Sequence, residues 1–449
     1  MDNRTQEFLS KPIMPLLIRM SAPNTIAFFI QSLVVLTEVW FISKLGTNSL
    51  AAVALAFPLL MITQTMSGGA LGGAITSAIA RSMGANDIDR VEKLIWHSVV
   101  ISLGGALIFL ILFLFFGQQL LFILGGKGEI LQESYAYCSV LFFGGALLWL
   151  SGSLSAVLRG MGNMRFPAIL MVIASSFQVV LSGGFILGWF GFPKLGVPGA
   201  AVAVLITSAI MVTVILIKLQ SNSVPASLKK EKFQLSKSLF DNIFEVAIPA
   251  SVSPLLTVGT ILVLTGLVGT FGTEALAGYG IGSRVEFLMI PLIFGIGTAM
   301  TSIVGANIGA KEIIRAEKVG IYGGSTAGIV SVFIGLTLAL FPESWIQFFT
   351  NDPKAFEVTK QYIQLVGPFY IFQGVGLSLY FASQGANAMK WPTIATIIRF
   401  LVASIGGAIS VYWLGLGIES IFISSSVAMT IFGIMIFVSI KRGAWRVNI

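Results

Sequence analysis

The chain has 449 residues, of which 56% are hydrophobic and 10% charged, with a mean hydropathy of +0.92. Soluble domains carry about 25% charged residues, so this composition excludes a soluble globular fold and leaves room for about a dozen bilayer-crossing helices of about 20 residues each. The net charge of +8 is scattered over short connections, which excludes a nucleic-acid-binding face and reads as an orientation signal in a membrane.

At the N-terminus Pro12, Pro15 and Pro23 interrupt the chain, and the small-residue pattern of a cleavable signal is missing. The first apolar run covers about 15–43 and carries Asn24, Gln31 and Glu38 at seven-residue intervals. Seven residues make about two turns, or about 10.5 Å, so the three form one polar stripe. Polar groups inside a span are costly and must face protein or water. Glu38 lies six residues before Lys44, in the outer half of the span.

The next runs fall at 50–82, 92–116, 131–158, 166–190 and 196–219. The second holds Thr63, Gln64, Thr65 and Ser67, and its Ser and Thr residues read first as helix-packing glue. His97 stands about one turn into the third run and reads as interfacial. Cys138, the only cysteine, reads as a core thiol. With one cysteine and one histidine, an intrachain disulfide and a Cys- or His-rich metal site are excluded. The fifth run carries Ser175, Gln178 and Ser182 at i, i+3 and i+7, a second polar face. Residues 221–242 then form a basic, partly apolar linker that reads as interfacial on an anionic leaflet.

Beyond the linker, runs fall at 243–270, 275–306, 317–341, 359–386, 392–413 and 417–440. Arg284 and Glu286 sit near the middle of the eighth run on different faces, so they cannot pair with each other. Gln373 is available in the tenth. Of the 27 Lys and Arg residues, 20 fall on the side of the termini, five on the other, and Arg284 and Arg399 inside runs. Both termini are therefore expected in the cytoplasm, which twelve crossings satisfy.

The two halves repeat. GTNSLAAVALAFP at Gly46–Pro58 answers GTEALAGYGIGSR at Gly272–Arg284 at an offset of 226, and RGMGNMRFP at Arg159–Pro167 answers QGANAMKWP at Gln384–Pro392 at 225. Six crossings separate equivalents, so both halves share one topology, an architecture typical of transporters. The expected fold is an all-α polytopic membrane protein of 12 transmembrane helices. They form two pseudo-symmetric six-helix bundles around a central cavity: an N-terminal lobe 1–220, the linker 221–242 and a C-terminal lobe 243–449.

These repeated segments resemble the multidrug and toxic compound extrusion (MATE) family over nearly the whole chain. The resemblance implies an antiporter that exports cationic or amphipathic compounds against an H⁺ or Na⁺ gradient. In the family the first-helix carboxylate is commonly aspartate, and Glu38 in TEVWF takes that place. The fifth-helix partners are commonly Asn and Asp four apart, and Gln178 and Ser182 match them. The seventh-helix acid of another branch is missing from Ala247–Leu256.

The expected coupling residues are Glu38 and Gln178, with Na⁺ at Glu38 if Na⁺ is the ion. The expected substrate-cavity residues are Asn24, Gln31, Gln64, Ser182, Arg284, Glu286 and Gln373. A monomer in the inner membrane is expected, with the bilayer and small molecules as partners, without cofactor, nucleic acid or enzymatic activity. The alternative, a lipid-linked oligosaccharide flippase, calls for a strongly basic cavity, whereas Arg284 and Arg399 are the basic residues inside runs.

Overall fold

Apolar runs of this length meet no water in a bilayer, so their backbone N–H and C=O groups must pair within helices. The computed structural model describes residues 2–221 and 223–446, and every regular element among them is helical. Residue 1 of the expected N-terminal lobe, residue 222 of the linker and residues 447–449 of the C-terminal lobe lie outside the described residues.

The helices run in order α1 (Asn3–Ser10), α2 (Ile13–Ser43), α3 (Thr47–Gln64), α4 (Gly72–Gly84), α5 (Ile88–Ile123), α6 (Gly128–Phe143), α7 (Gly145–Gly160), α8 (Arg165–Leu187) and α9 (Val197–Gln220). After the linker come α10 (Lys237–Gly269), α11 (Thr273–Ser283), α12 (Glu286–Gly309), α13 (Ile313–Leu340), α14 (Glu343–Ile346), α15 (Pro353–Val366), α16 (Tyr370–Gly385), α17 (Lys390–Leu401), α18 (Gly407–Tyr412) and α19 (Glu419–Lys441). Two π-helical stretches, Thr65–Leu71 and Val402–Gly406, join α3 to α4 and α17 to α18. Counted through such short breaks, eleven helices among the described residues are long and apolar enough to cross a membrane. The pair α6 and α7, bent by 52°, supplies a twelfth if it is one span.

Contacts divide the chain into one unit of Met1–Gln6 with Ile26–Ala247 and another of Glu7–Thr25 with Ile248–Ile449. One boundary falls inside α1, between Gln6 and Glu7, and the other two inside α2 and α10, near Pro23 and Pro249. The segment Glu7–Thr25, expected in the N-terminal lobe, thus packs with the second unit. The reason is local: Asn307 Nδ2 and Arg315 Nε donate to the Phe8 carbonyl oxygen at 3.2 and 3.1 Å. Asn24 Nδ2 also donates to Thr298 Oγ1 at 3.2 Å.

The repeat read from sequence recurs as geometry inside each unit. Thr76 Oγ1 donates to the Ala156 carbonyl at 3.1 Å, and Thr301 Oγ1, 225 residues on, to that of Phe381 at 2.9 Å. Gly46 at φ 126° and Gly272 at φ 112° make equivalent turns that a side chain would strain. Asn86 (φ 60°) and Lys311 (φ 65°) share the left-handed position of a second turn.

In the first unit the linker lies on the start of α5. Lys229 Nζ is 2.8 Å from Glu92 and Lys232 Nζ 2.5 Å from Asp89. Trp96 Nε1 donates to the Lys229 carbonyl at 2.9 Å. These two lysines of the linker are held by acidic residues in the first turns of α5. His97, expected at the interface, is fully buried beneath them.

Glu7 on α1 accepts hydrogen bonds from Arg19 and Lys11, which hold its carboxyl below the ordinary 4.5. A depressed folded-state value means that this contribution is complete above about pH 4.5 and lost as pH falls through the lower folded value. Hydrogen-exchange protection of the α1 amides, referenced at each pH to Glu7→Gln, is therefore expected to stay flat from neutrality down to about pH 5.5 and to fall only in stronger acid.

Candidate functional site

The polar stripe of α2 meets the polar face of α8 within the first unit. Both helices run the same way, and both repeat their polar groups at seven residues, so two contacts form in register. Ser175 Oγ donates to Gln31 Oε1 at 2.8 Å. Two turns further along, Gln178 Nε2 and Ser182 Oγ donate to Glu38 Oε1 at 3.0 and 2.5 Å. Phe41 packs edge-on against Trp189 with ring centroids 5.3 Å apart, pinning the C-terminal ends of the two helices together. Gly183 lets Trp189 approach, since a Cβ there would come within 2.9 Å of its ring.

Glu38 is 9% exposed. Its donors are neutral, and both converge on Oε1, leaving Oε2 for a proton or a cation. No basic side chain among the described residues forms an ion pair with it. A charged carboxylate buried without a cationic partner is costly, and a proton on the carboxyl would remove that cost. Tyr137 on α6 lies close enough to interact electrostatically with Glu38. Sequence reasoning missed it, because a tyrosine in an apolar run reads as core. Among the described residues no group of three or more His, Cys, Asp or Glu is placed to hold a metal ion.

The second unit holds a separate polar cluster. Tyr362 Oη donates to Glu286 Oε1 at 3.4 Å. Arg399 donates to Gln373 Oε1 at 3.2 Å and to Thr257 Oγ1 at 3.0 Å, and its guanidinium lies 4.8 Å from the Phe432 ring centroid. Arg399 and Glu286 interact electrostatically without forming a salt bridge. Arg399 was not among the expected site residues; its signal was its place as an arginine inside the eleventh span.

The expected residues thus separate. Gln31, Glu38, Gln178 and Ser182 come together in the first unit, with Ser175 added. Asn24 belongs to the second unit beside Thr298. Gln64 is exposed at the end of α3 and joins neither network. Glu286 and Gln373 share the second-unit cluster through Arg399, while Arg284 is exposed and lies 5.7 Å from the Phe349 ring centroid.

The MatE family profile matches residues 23–182 and 249–409, one match in each half. The "Probable multidrug resistance protein NorM" of Thermotoga maritima is 27% identical over 394 residues, covering 86% of this chain and 83% of that protein. The "FAD transporter" of Shewanella oneidensis is 24% identical over 397 residues, 87% and 86% of the two chains. Among solved structures, an outward-facing multidrug resistance MATE transporter of the MOP superfamily superposes with a TM-score of 0.90 at 26% identity, covering 99% of each chain.

Proposed function

This chain belongs to the MatE family, and from that premise we propose that it is a cation-coupled antiporter exporting cationic or amphipathic small molecules by alternating access. The family membership and the named relatives make it a membrane transporter; coupling ion, substrate charge and residue roles are part of the proposal. One observation carries it: a buried carboxylate on α2 served only by the neutral donors Gln178 and Ser182.

In this reading Glu38 takes up a proton or Na⁺ from the outer side, with the proton favoured because one carboxylate, not an acidic pair, stands at the site. Loading Glu38 removes its negative charge, so a cationic substrate loses affinity and α2 repacks. Opposing fluxes are then coupled through the different affinities of the two states. Gln31 and Ser175 extend the stripe that a substrate meets, and Glu286, Gln373 and Arg399 form a second polar surface. The same proposal has both termini in the cytoplasm and the chain working as a monomer in the inner membrane. The flippase reading is weaker, since the relatives' names speak of multidrug resistance and FAD transport.

The experiment is export of a fluorescent cationic dye from proteoliposomes under a pH gradient alone and under a Na⁺ gradient alone. Proton coupling predicts export in the first arm. Ser182→Ala is expected to slow it by about tenfold, the factor for removing a hydrogen bond to a charged group. Unchanged export by that variant removes Ser182 from the coupling site.

A further inference from the structure

His97 on α5 is fully buried, and the antiport reading gives it no task. Its Nδ1 lies 2.8 Å from the Lys93 carbonyl oxygen. A carbonyl can only accept, so Nδ1 carries the hydrogen, and the neutral ring keeps its lone pair on Nε2. Ser236 donates its backbone N–H to that lone pair at 3.0 Å. Phe240 packs edge-on against the imidazole with ring centroids 4.6 Å apart. One ring therefore ties α5 to the end of the linker and the first turn of α10. The dock around it is specific: Trp96 meets Phe233 edge-on at 5.0 Å and donates to the Lys229 carbonyl at 2.9 Å.

We propose that His97 is a pH-sensitive latch for residues 227–240: the neutral imidazole holds this segment on α5, and protonation at Nε2 releases it. A proton on Nε2 turns the acceptor into a donor facing another donor, the Ser236 N–H. The hydrogen bond is lost and two N–H groups oppose each other. The docked segment binds the neutral ring, whereas a released ring can take the proton. Docking is therefore firm at higher pH and weakens as pH falls. Imidazole is the side chain that ordinarily changes charge between about pH 5 and 8.

On the end of α5 that carries the dock, the charged groups are Asp89, Arg90, Glu92 and Lys93 of α5, Lys229, Lys230, Glu231 and Lys232 of the linker, Lys237, Asp241 and Glu245 of α10, and Arg81 of α4 and Arg159 of α7, the helices packed on α5. The α5 acids already hold cations: Glu92 pairs with Lys229 at 2.8 Å, and Asp89 with Lys93 at 2.8 Å and Lys232 at 2.5 Å. The Asp89 hydrogen bond holds Lys232 above its ordinary value, so that ammonium keeps its charge over the same range. The imidazole is the group left to switch. The repeat places Tyr322 at the equivalent position of the second unit, 49% exposed, so the latch belongs to the first unit. The segment it controls leads into α10, which continues from one unit into the other.

His97 is the one histidine of the chain, which makes the test direct. Full-length protein without a histidine tag, labelled with ring-¹⁵N histidine, is titrated by NMR while tryptic cleavage after Lys229, Lys230, Lys232 and Lys237 is timed. Each pH is referenced to His97→Gln, whose amide keeps a donor and an acceptor but does not titrate there. The expected result is the Nδ1–H tautomer at the alkaline end. On acidification the ring protonates and wild-type cleavage rises by about three- to tenfold over the variant, the factor of one hydrogen bond. An Nε2–H tautomer, a ring that stays neutral throughout, or a cleavage ratio that ignores pH overturns the proposal. Should His97→Gln fail to fold, the wild-type tautomer and the coincidence of its ring titration with its cleavage profile decide alone.

Discussion

Glu38→Gln is expected to reduce gradient-driven export to the level of protein-free vesicles while the protein remains folded. Glutamine matches glutamate in shape, and its carbonyl can accept from Gln178 and Ser182 as Glu38 Oε1 does at 3.0 and 2.5 Å. What it cannot do is bind and release a proton as a carboxylate does, or offer a full negative charge to Na⁺. The packing of α2 on α8 should therefore survive, along with thermal stability in detergent. Substrate binding without a gradient separates coupling from recognition. If Glu38→Gln binds the cationic dye more weakly than the wild type and moves none of it uphill, the residue couples as proposed. If it exports at the wild-type rate under either gradient, Glu38 has no coupling role, and the second-unit cluster at Glu286 becomes the place to look. Glu38→Asp restores the charge on a shorter side chain and is expected to recover part of the rate.

A large stability loss is expected at the contact between α16 and α19. Gly433 faces the backbone of Phe372, where a Cβ would meet the carbonyl oxygen and stand 2.9 Å from Cα. Gly376 faces the same seam, 3.2 Å from the Gly433 Cα on the same construction. Backbone cannot step aside as a side chain can, so Gly433→Val forces the helices apart. The expected cost is about 3 kcal/mol or more. Gly266 on α10 is the control, because a Cβ there meets nothing within 4 Å. Gly266→Ala is expected to be neutral or to stabilise by up to about 1 kcal/mol through backbone entropy. Thermal melting followed by size-exclusion recovery reads both, and equal melting of the two variants would contradict this packing.

Much of the fold was legible because a bilayer leaves the chain few options. Hydrophobic length, turn glycines and basic connections are one-dimensional quantities, and they mark the spans and the repeat without knowledge of any contact. The stripe of Gln31 and Glu38 and the face of Ser175, Gln178 and Ser182 were each visible for the same reason, since helical periodicity is local. Their meeting was also foreshadowed: two faces with the same seven-residue step can match in register.

Other features were not legible. Asn24 continues the stripe in sequence, yet it packs with the second unit, where it donates to Thr298, distant in sequence. Arg399 read as an isolated charge until Gln373, Thr257 and Phe432, from three different helices, were seen around it. His97 is the sharpest case. Its neighbours Ser236 and Phe240 lie 139 and 143 residues away, and no periodicity within α5 points to them.

The sequence by itself determined that the protein lives in a membrane, that it crosses about twelve times in two repeated halves, and that a carboxylate of the first span, Glu38, stands where lipid would not tolerate it. Each follows from the cost of placing polar groups in hydrocarbon, which acts on every residue in turn. The tertiary structure alone decided which partners that carboxylate has, which residues of the first helix serve which unit, and what the lone histidine holds. Those are contacts between helices distant in sequence, set by side-chain packing and by the direction of individual hydrogen bonds.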